Sequence, residues 1–320
     1  MPDPVVDPPF SEGILRTWAT WWRGLAPNLR GGLLFIVGSF LFTIMIALIK
    51  IAGETLHVTE ILFFRQFTMT LIAMPLIISG WPGSVHSARP KLQILRVGMA
   101  FMAMTLGFLA FIKLPMAEAT VIAFSKTFFT TILAIFILSE IVRAPRWIAL
   151  VAGFVGVAII IWPDKEFGLN IWHLMSVASA ICVSVVMIII RILARVDQPV
   201  TILTYQAVGV GILMIPPTIW FWQTPTWFEL GILVAIGAIS AVAQYINILA
   251  FKAGEASALA PLEYTRLLFA TILGLWLFAE WPEPRVWLGA AIIIVAALYM
   301  MNRERRSGLA EGDHRSALSK

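Results

Sequence analysis

Ten apolar blocks, each of about twenty residues, the length that carries a helix across a bilayer core, follow one another along this chain with only short connections between them. They fall at 31–50, 58–79, 93–112, 116–138, 145–162, 168–190, 199–221, 228–250, 256–279 and 285–301. None alternates in polarity. Blocks of this kind satisfy their backbone internally as helices, whereas membrane barrel strands are about half as long and alternate. Of the 320 residues 60% are hydrophobic and only 13% charged, and the mean hydropathy is +0.89, which excludes an ordinary soluble domain. The expectation is an all-α integral membrane protein with ten transmembrane helices, a cytoplasmic N-terminal tail at 1–30 and a basic cytoplasmic tail at 303–320.

The formal net charge of +5 does not indicate a nucleic-acid partner, because most basic residues lie in short loops and tails beside apolar segments. With the N-terminus inside, 16 Lys and Arg fall on the inner side and 4 on the outer (Lys50, Lys113, Lys165 and Arg285), so both termini are expected in the cytoplasm. In the N-terminal tail Trp18, Trp21 and Trp22 beside Arg16 and Arg23 suit the membrane-water interface. The single cysteine, Cys182, sits in an apolar run, so neither a disulfide framework nor a cysteine metal cluster is expected. His57, His86, His173 and His314 lie in loops, span ends or the tail, and no metal-ligand, nucleophile or nucleotide-binding motif occurs. No catalytic residue, metal or cofactor is therefore expected.

An internal repeat appears at an offset of 140 residues. "LAFIKLPMAEATVIAFSKTFFTTILAIFILSE" (109–140) meets "LAFKAGEASALAPLEYTRLLFATILGLWLFAE" (249–280), aligning Phe129 with Phe269, Glu140 with Glu280 and, beyond, Trp147 with Trp287. Each unit holds five spans, an odd number, so the second enters from the opposite side. The expected architecture is two inverted five-helix repeats, 31–162 and 168–302, with a binding site between them near the midplane.

In this register Lys126 falls on Arg266, each about ten residues into its span, a depth that reaches the bilayer middle. A charge there is costly and survives by facing a polar cavity or a partner. Lys126 has no carboxylate within a turn on its own helix and is the best candidate for lining a substrate path. Arg266 either joins it or pairs with Glu263 at i,i+3, and Glu263 reads as a structural counter-ion or as a proton carrier. Tyr264, Arg65, Gln66, Gln244 and Asn247 complete the candidate substrate-binding set. Arg65 suits packing as well as ligand contact, and Gln244 and Asn247 suit helix-to-helix hydrogen bonds. Glu140 and Glu280 close their spans as interfacial residues, and a kink is expected at Pro261, beside the polar cluster.

The two units, "LPMAEATVIAFSKTFFTTILAIFILSE" with "RWIALVAGFVGVAIII" and "AGEASALAPLEYTRLLFATILGLWLFAE" with "RVWLGAAIIIVAAL", resemble the paired EamA units of the drug/metabolite transporter superfamily. The resemblance implies alternating access and movement of a small organic metabolite across the bacterial inner membrane. The intramembrane charges point to an anionic or zwitterionic cargo: amino-acid-like, nucleoside- or vitamin-like, or adenosylmethionine-like. A flippase or carrier for a lipid-linked or phosphorylated headgroup stays open beside it, as do proton coupling and a homodimer.

Overall fold

The computed structural model describes residues 25, 27–138, 144–160, 170–253, 259–296 and 298–299. Residues 1–24 with their tryptophans, the C-terminal tail and Glu140 lie outside the described residues, and Pro27–Arg30, expected in the tail, begin the first helix. Twelve α-helices are followed below: α1 Pro27–Ala52, α2 Val58–Ser79, α3 Pro90–Lys113, α4 Met116–Ala123, α5 Lys126–Leu138, α6 Ala144–Ile160, α7 Ile171–Leu193, α8 Pro199–Thr204, α9 Val210–Trp220, α10 Trp227–Ala253, α11 Thr265–Phe278 and α12 Pro284–Ala296. Among the described residues there is no strand. Among the described residues six segments are long and apolar enough to cross a membrane: Leu29–Ala52, Pro90–Lys113, Met116–Ile137, Ile171–Leu193, Pro199–Trp220 and Trp227–Ala250. The chain is a multi-pass helical membrane protein.

Three of the expected spans are interrupted, one of them at the expected Pro261 kink, each for a local reason. Between α4 and α5 the Phe124 N–H is shared between the Thr120 and Val121 carbonyls (3.2 and 3.1 Å), and Ser125 N–H reaches Ile122 O at 3.0 Å. The chain tightens into i→i+3 bonding there. In the aligned segment a 3₁₀ helix, Ala260–Tyr264, leads into α11; Pro261 supplies no N–H and fits this tighter turn. Between α8 and α9 a π-helical turn, Tyr205–Gly209, frees carbonyls that Gln66 and Thr70 satisfy. The Gln66 amide donates to Gln206 O (3.3 Å) and Ala207 O (3.0 Å), and the Thr70 hydroxyl to Ala207 O (3.2 Å).

Two apolar clusters hold the bundle. In one, Met45 and Ile49 of α1 meet Ile61 and Leu62 of α2, Met214 of α9 and Leu233 of α10. In the other, Ile122 of α4 and Phe128 of α5 pack with Val157 and Ile160 of α6 and with Val286 and Ile293 of α12. The α6–α12 crossing is close enough for backbone contact. A Cβ on Gly289 would stand 2.7 Å from Gly156 O and 2.4 Å from Ile160 Cγ1, and one on Gly156 would stand 3.0 Å from Gly289 O. Small residues allow this approach, and lost dispersion contacts cannot be recovered if the helices separate.

Gly289→Ala is therefore expected to destabilise by about 1–3 kcal/mol, the usual cost of overpacking. Gly231 of α10 has nothing within 4 Å of its would-be Cβ, so Gly231→Ala is neutral or slightly stabilising. Thermal unfolding of the two variants in detergent checks the contrast.

Candidate functional site

A cavity of about 240 Å³ lies between α1, α3, α4, α5, α7 and α11. Its wall is largely aromatic, from Phe42, Phe108, Phe111 and Phe124, with hydroxyls from Thr43, Thr120 and Ser179. Two cations, Lys126 and Arg266, line it. Both stand in the first turn after a helix interruption, so the breaks that shorten α4 and α11 also set the two charges facing each other.

Glu263 holds them together. Lys126 Nζ donates to Glu263 Oε1 at 2.6 Å, and Arg266 Nη1 lies 3.7 Å from the same oxygen. The Arg266 guanidinium rests 4.5 Å from the Phe42 ring centroid, and its buried Nε has no hydrogen-bond partner among the described residues. One carboxylate between a lysine and an arginine leaves, with all three ionised, a local charge of plus one, beside the Arg266 Nε donor. Such a cluster carries a standing demand for one more anionic group. Tyr264 meets Phe124 edge-on, with centroids 5.1 Å apart, beside the cluster.

The other candidates stand elsewhere. Arg65 donates through Nε to Ser240 Oγ (3.1 Å) and packs behind Phe108, 5.6 Å from its ring centroid. Gln66 serves the π-turn. Asn247 is wedged against Gly38, whose would-be Cβ falls 2.5 Å from Asn247 Oδ1, and Gln244 is exposed on the outside of α10. None of these four lines the cavity.

Polar contacts at the two ends of the bundle were not legible in the sequence. Lys50 and Glu280 form a salt bridge, with Lys50 Nζ also donating to Leu114 O (2.7 Å) and the Met116 N–H donating to Glu280 Oε2 (2.8 Å). Lys50, counted among the outer loop charges, is thus a buried residue that ties α1, the α3–α4 junction and the end of α11 together. His173, in the first turn of α7, meets Glu118 of α4 through Nε2 and Oε1 at 2.6 Å, both buried. At the other end Arg96, counted with the inner loop charges, is only 2% exposed. It donates to Gln93 Oε1 (3.1 Å), Gln206 Oε1 (2.9 Å) and Ile202 O (2.7 Å). Gln93 in turn donates to Asp197 Oδ2 (2.8 Å), whose carboxylate also accepts from Ser87 and from the Ala88 N–H. Burial pushes the Asp197 carboxyl upward, but these three hydrogen bonds outweigh it and hold the group below the usual carboxylate range.

The EamA-like transporter family matches this chain twice, at residues 29–162 and 170–302. The "S-adenosylmethionine uptake transporter" of Rickettsia bellii (strain RML369-C) is 32% identical over 258 residues, covering 81% of this chain and 88% of that protein. The "Pseudopaline exporter CntI" of Pseudomonas aeruginosa (strain UCBPP-PA14) is 29% identical over 279 residues, covering 86% of this chain and 97% of its own. The "Riboflavin transporter" of Brucella anthropi is 27% identical over 255 residues, covering 76% and 88%. A solved crystal structure with 18% identity shares the fold at a TM-score of 0.62, over 86% of this chain and 98% of the other.

The Asp197 network generates a pH prediction. A carboxyl whose folded pKa is depressed contributes stability above its unfolded value and loses it as pH falls through the folded one. The wild type is expected to unfold at a higher temperature than Asp197→Asn at neutral pH, and the gap is expected to close as pH falls below the ordinary carboxylate range. Paired melting curves across that range are the check; a gap independent of pH contradicts it.

Proposed function

The chain belongs to the EamA-like transporter family and is a secondary transporter of a small organic metabolite, not an enzyme; on that premise we propose that its cargo is a zwitterion with a carboxylate and a flat heteroaromatic ring, of the S-adenosylmethionine kind. The observation that carries this reading is the pair of cations at the cavity wall, Lys126 and Arg266, with Glu263 bridging them from behind the lining. In the proposed pose the substrate carboxylate lies against Lys126 and the unused Arg266 Nε, and its ammonium is drawn to Glu263, with the sulfonium left among the aromatic rings. The ring stacks among Phe42, Phe108 and Phe124. Charge-assisted bonds in a largely apolar pocket are strong because little water competes for them. A cavity walled by helices of both sequence units supports a metabolite over a lipid-linked headgroup.

The same reading takes the chain as ten helices in two inverted units, 31–162 and 168–302. Support comes from the double family match, from interruptions at aligned places (124–125 and 260–264), and from the direct contact of Phe124 with Tyr264, residues related by the 140-residue offset. Both termini are read as cytoplasmic and the membrane as the bacterial inner one. Setting aside Lys50 and Arg96, one charge from each side, leaves the excess of inner Lys and Arg undiminished. Substrate and proton gradients are read as coupled.

The test is binding of S-adenosylmethionine and riboflavin to the purified protein, followed by thermal stabilisation, since a ligand of the folded state raises its apparent stability. S-adenosylmethionine is expected to stabilise. Lys126→Ala and Arg266→Ala are each expected to weaken it on the order of 10- to 100-fold, the worth of one charge-assisted hydrogen bond. Either variant leaves Glu263 one cation, so folding survives. Unchanged affinity in both, or stabilisation by riboflavin alone, overturns the assignment.

A further inference from the structure

We infer that the buried Glu118–His173 pair, and not Glu263, is the proton-binding site that couples this transporter to a proton gradient. The inference rests on the transporter reading above. Glu263 is committed to charge pairing with Lys126 and Arg266, at 2.6 and 3.7 Å, and protonating it would leave two cations facing each other. Glu118 and His173 are different. They touch at 2.6 Å, both are buried, and neither belongs to the cavity cluster.

Among the described residues the charges around the pair are few. From α3, Lys113 is held over the Trp172 ring, 6.0 Å from its centroid. From α1 and the end of α11, Lys50 and Glu280 neutralise each other. Lys126 of α5 and Arg266 of α11 are engaged with Glu263, and the described side chains of α6 carry no titratable group. On α7 itself Cys182 and Arg191 lie farther along the helix. Among the described residues the background is therefore net positive, from Lys113 and from the cavity cluster.

One proton decides its charge. With an imidazolium beside a carboxylate the pair is neutral overall. When His173 gives up one proton, the remaining Nε2–H still donates to Glu118, but the pair carries minus one. A buried net charge is unfavourable, so the unloaded pair favours a conformation that lets water in, while the loaded pair tolerates the closed one.

The geometry carries that preference to the substrate. Glu118 lies in the first turn of α4, two residues before Thr120, which lines the cavity and whose hydroxyl donates to Met116 O at 2.7 Å. The Met116 N–H is bound by Glu280, and α4 ends at the interruption that places Lys126. Opening the outer side thus requires α4 to part from α7 at the proton pair and from α11 at Glu280. Proton loss, α4 displacement and exposure of Lys126 form one mechanical unit.

The experiment uses the full chain in proteoliposomes with S-adenosylmethionine as tracer. Two transport modes are compared, uptake driven by an imposed pH difference and exchange at equal pH, in wild type, Glu118→Gln and His173→Gln. The wild type is expected to respond to the gradient, and both variants to lose that response while keeping exchange. Gradient stimulation that persists in the variants, or exchange abolished together with it, overturns the inference; so does wild-type uptake indifferent to the gradient. A ligand-free measurement separates this from the substrate assignment. The His173 signal, identified by its absence in His173→Gln, is followed by NMR against pH in wild type and Glu118→Gln. It is expected to respond to pH in the wild type and to respond differently without the Glu118 carboxylate. No exchange of S-adenosylmethionine counts against the substrate assignment, whereas a His173 that does not titrate counts against the pair.

Discussion

A charged side chain among apolar helices must have an opposite charge, or a full set of hydrogen bonds, within reach, and most of this molecule's organisation follows from that requirement. Lys126 is the clearest case. Its ammonium is satisfied by Glu263, from a segment 137 residues farther along the chain, so the helices that carry them are fixed to each other at the cavity wall. Arg266 completes the cluster from the next turn. At one end of the bundle Lys50 does the same for α1, the α3–α4 junction and the end of α11, and at the other end Arg96 does so for α3 and the π-turn.

These contacts explain where the helices break. An unbroken helix through 116–138 or 256–279 would place its first charged residue wherever the 3.6-residue period put it. The tightened turn at Phe124–Ser125 and the 3₁₀ helix at Ala260–Tyr264 instead start α5 and α11 afresh, with Lys126 and Arg266 in their first turns. Freed backbone groups are tolerated at depth only where side chains or a cavity satisfy them. Gln66 and Thr70 do this for the π-turn, and Ser184 donates to the Lys126 carbonyl at 2.8 Å. The irregular segments are thus held in place by polar side chains from neighbouring helices, and a substrate that competes for Lys126 competes with one of those restraints.

Much of this was legible in the sequence because bilayer physics writes itself into block length and charge. The apolar blocks, the repeat offset, and the absence of a same-helix partner for Lys126 needed no structure. What could not be read was pairing between helices. Nothing in a single sequence joins Glu118 to His173, 55 positions apart, or Gln93 to Asp197, 104 apart. Lys50 and Arg96 look like loop charges because they stand at span ends, and only packing reveals that both are buried. Gln66 and Asn247 carried the same polar signal as a ligand contact while serving the backbone and helix packing. A polar residue in a hydrophobic span announces that something must satisfy it, without saying whether that is substrate, backbone or a neighbouring side chain.

The central claim is that the cavity cations read a substrate carboxylate. A ligand-and-protein double cycle tests it most directly: affinities of S-adenosylmethionine and its carboxyl methyl ester are measured on wild type and on Lys126→Ala. The account predicts that esterification weakens binding to the wild type and costs far less in Lys126→Ala, because the partner of the carboxylate is already gone. An ester penalty of equal size in both proteins would place the carboxylate away from Lys126 and contradict the account.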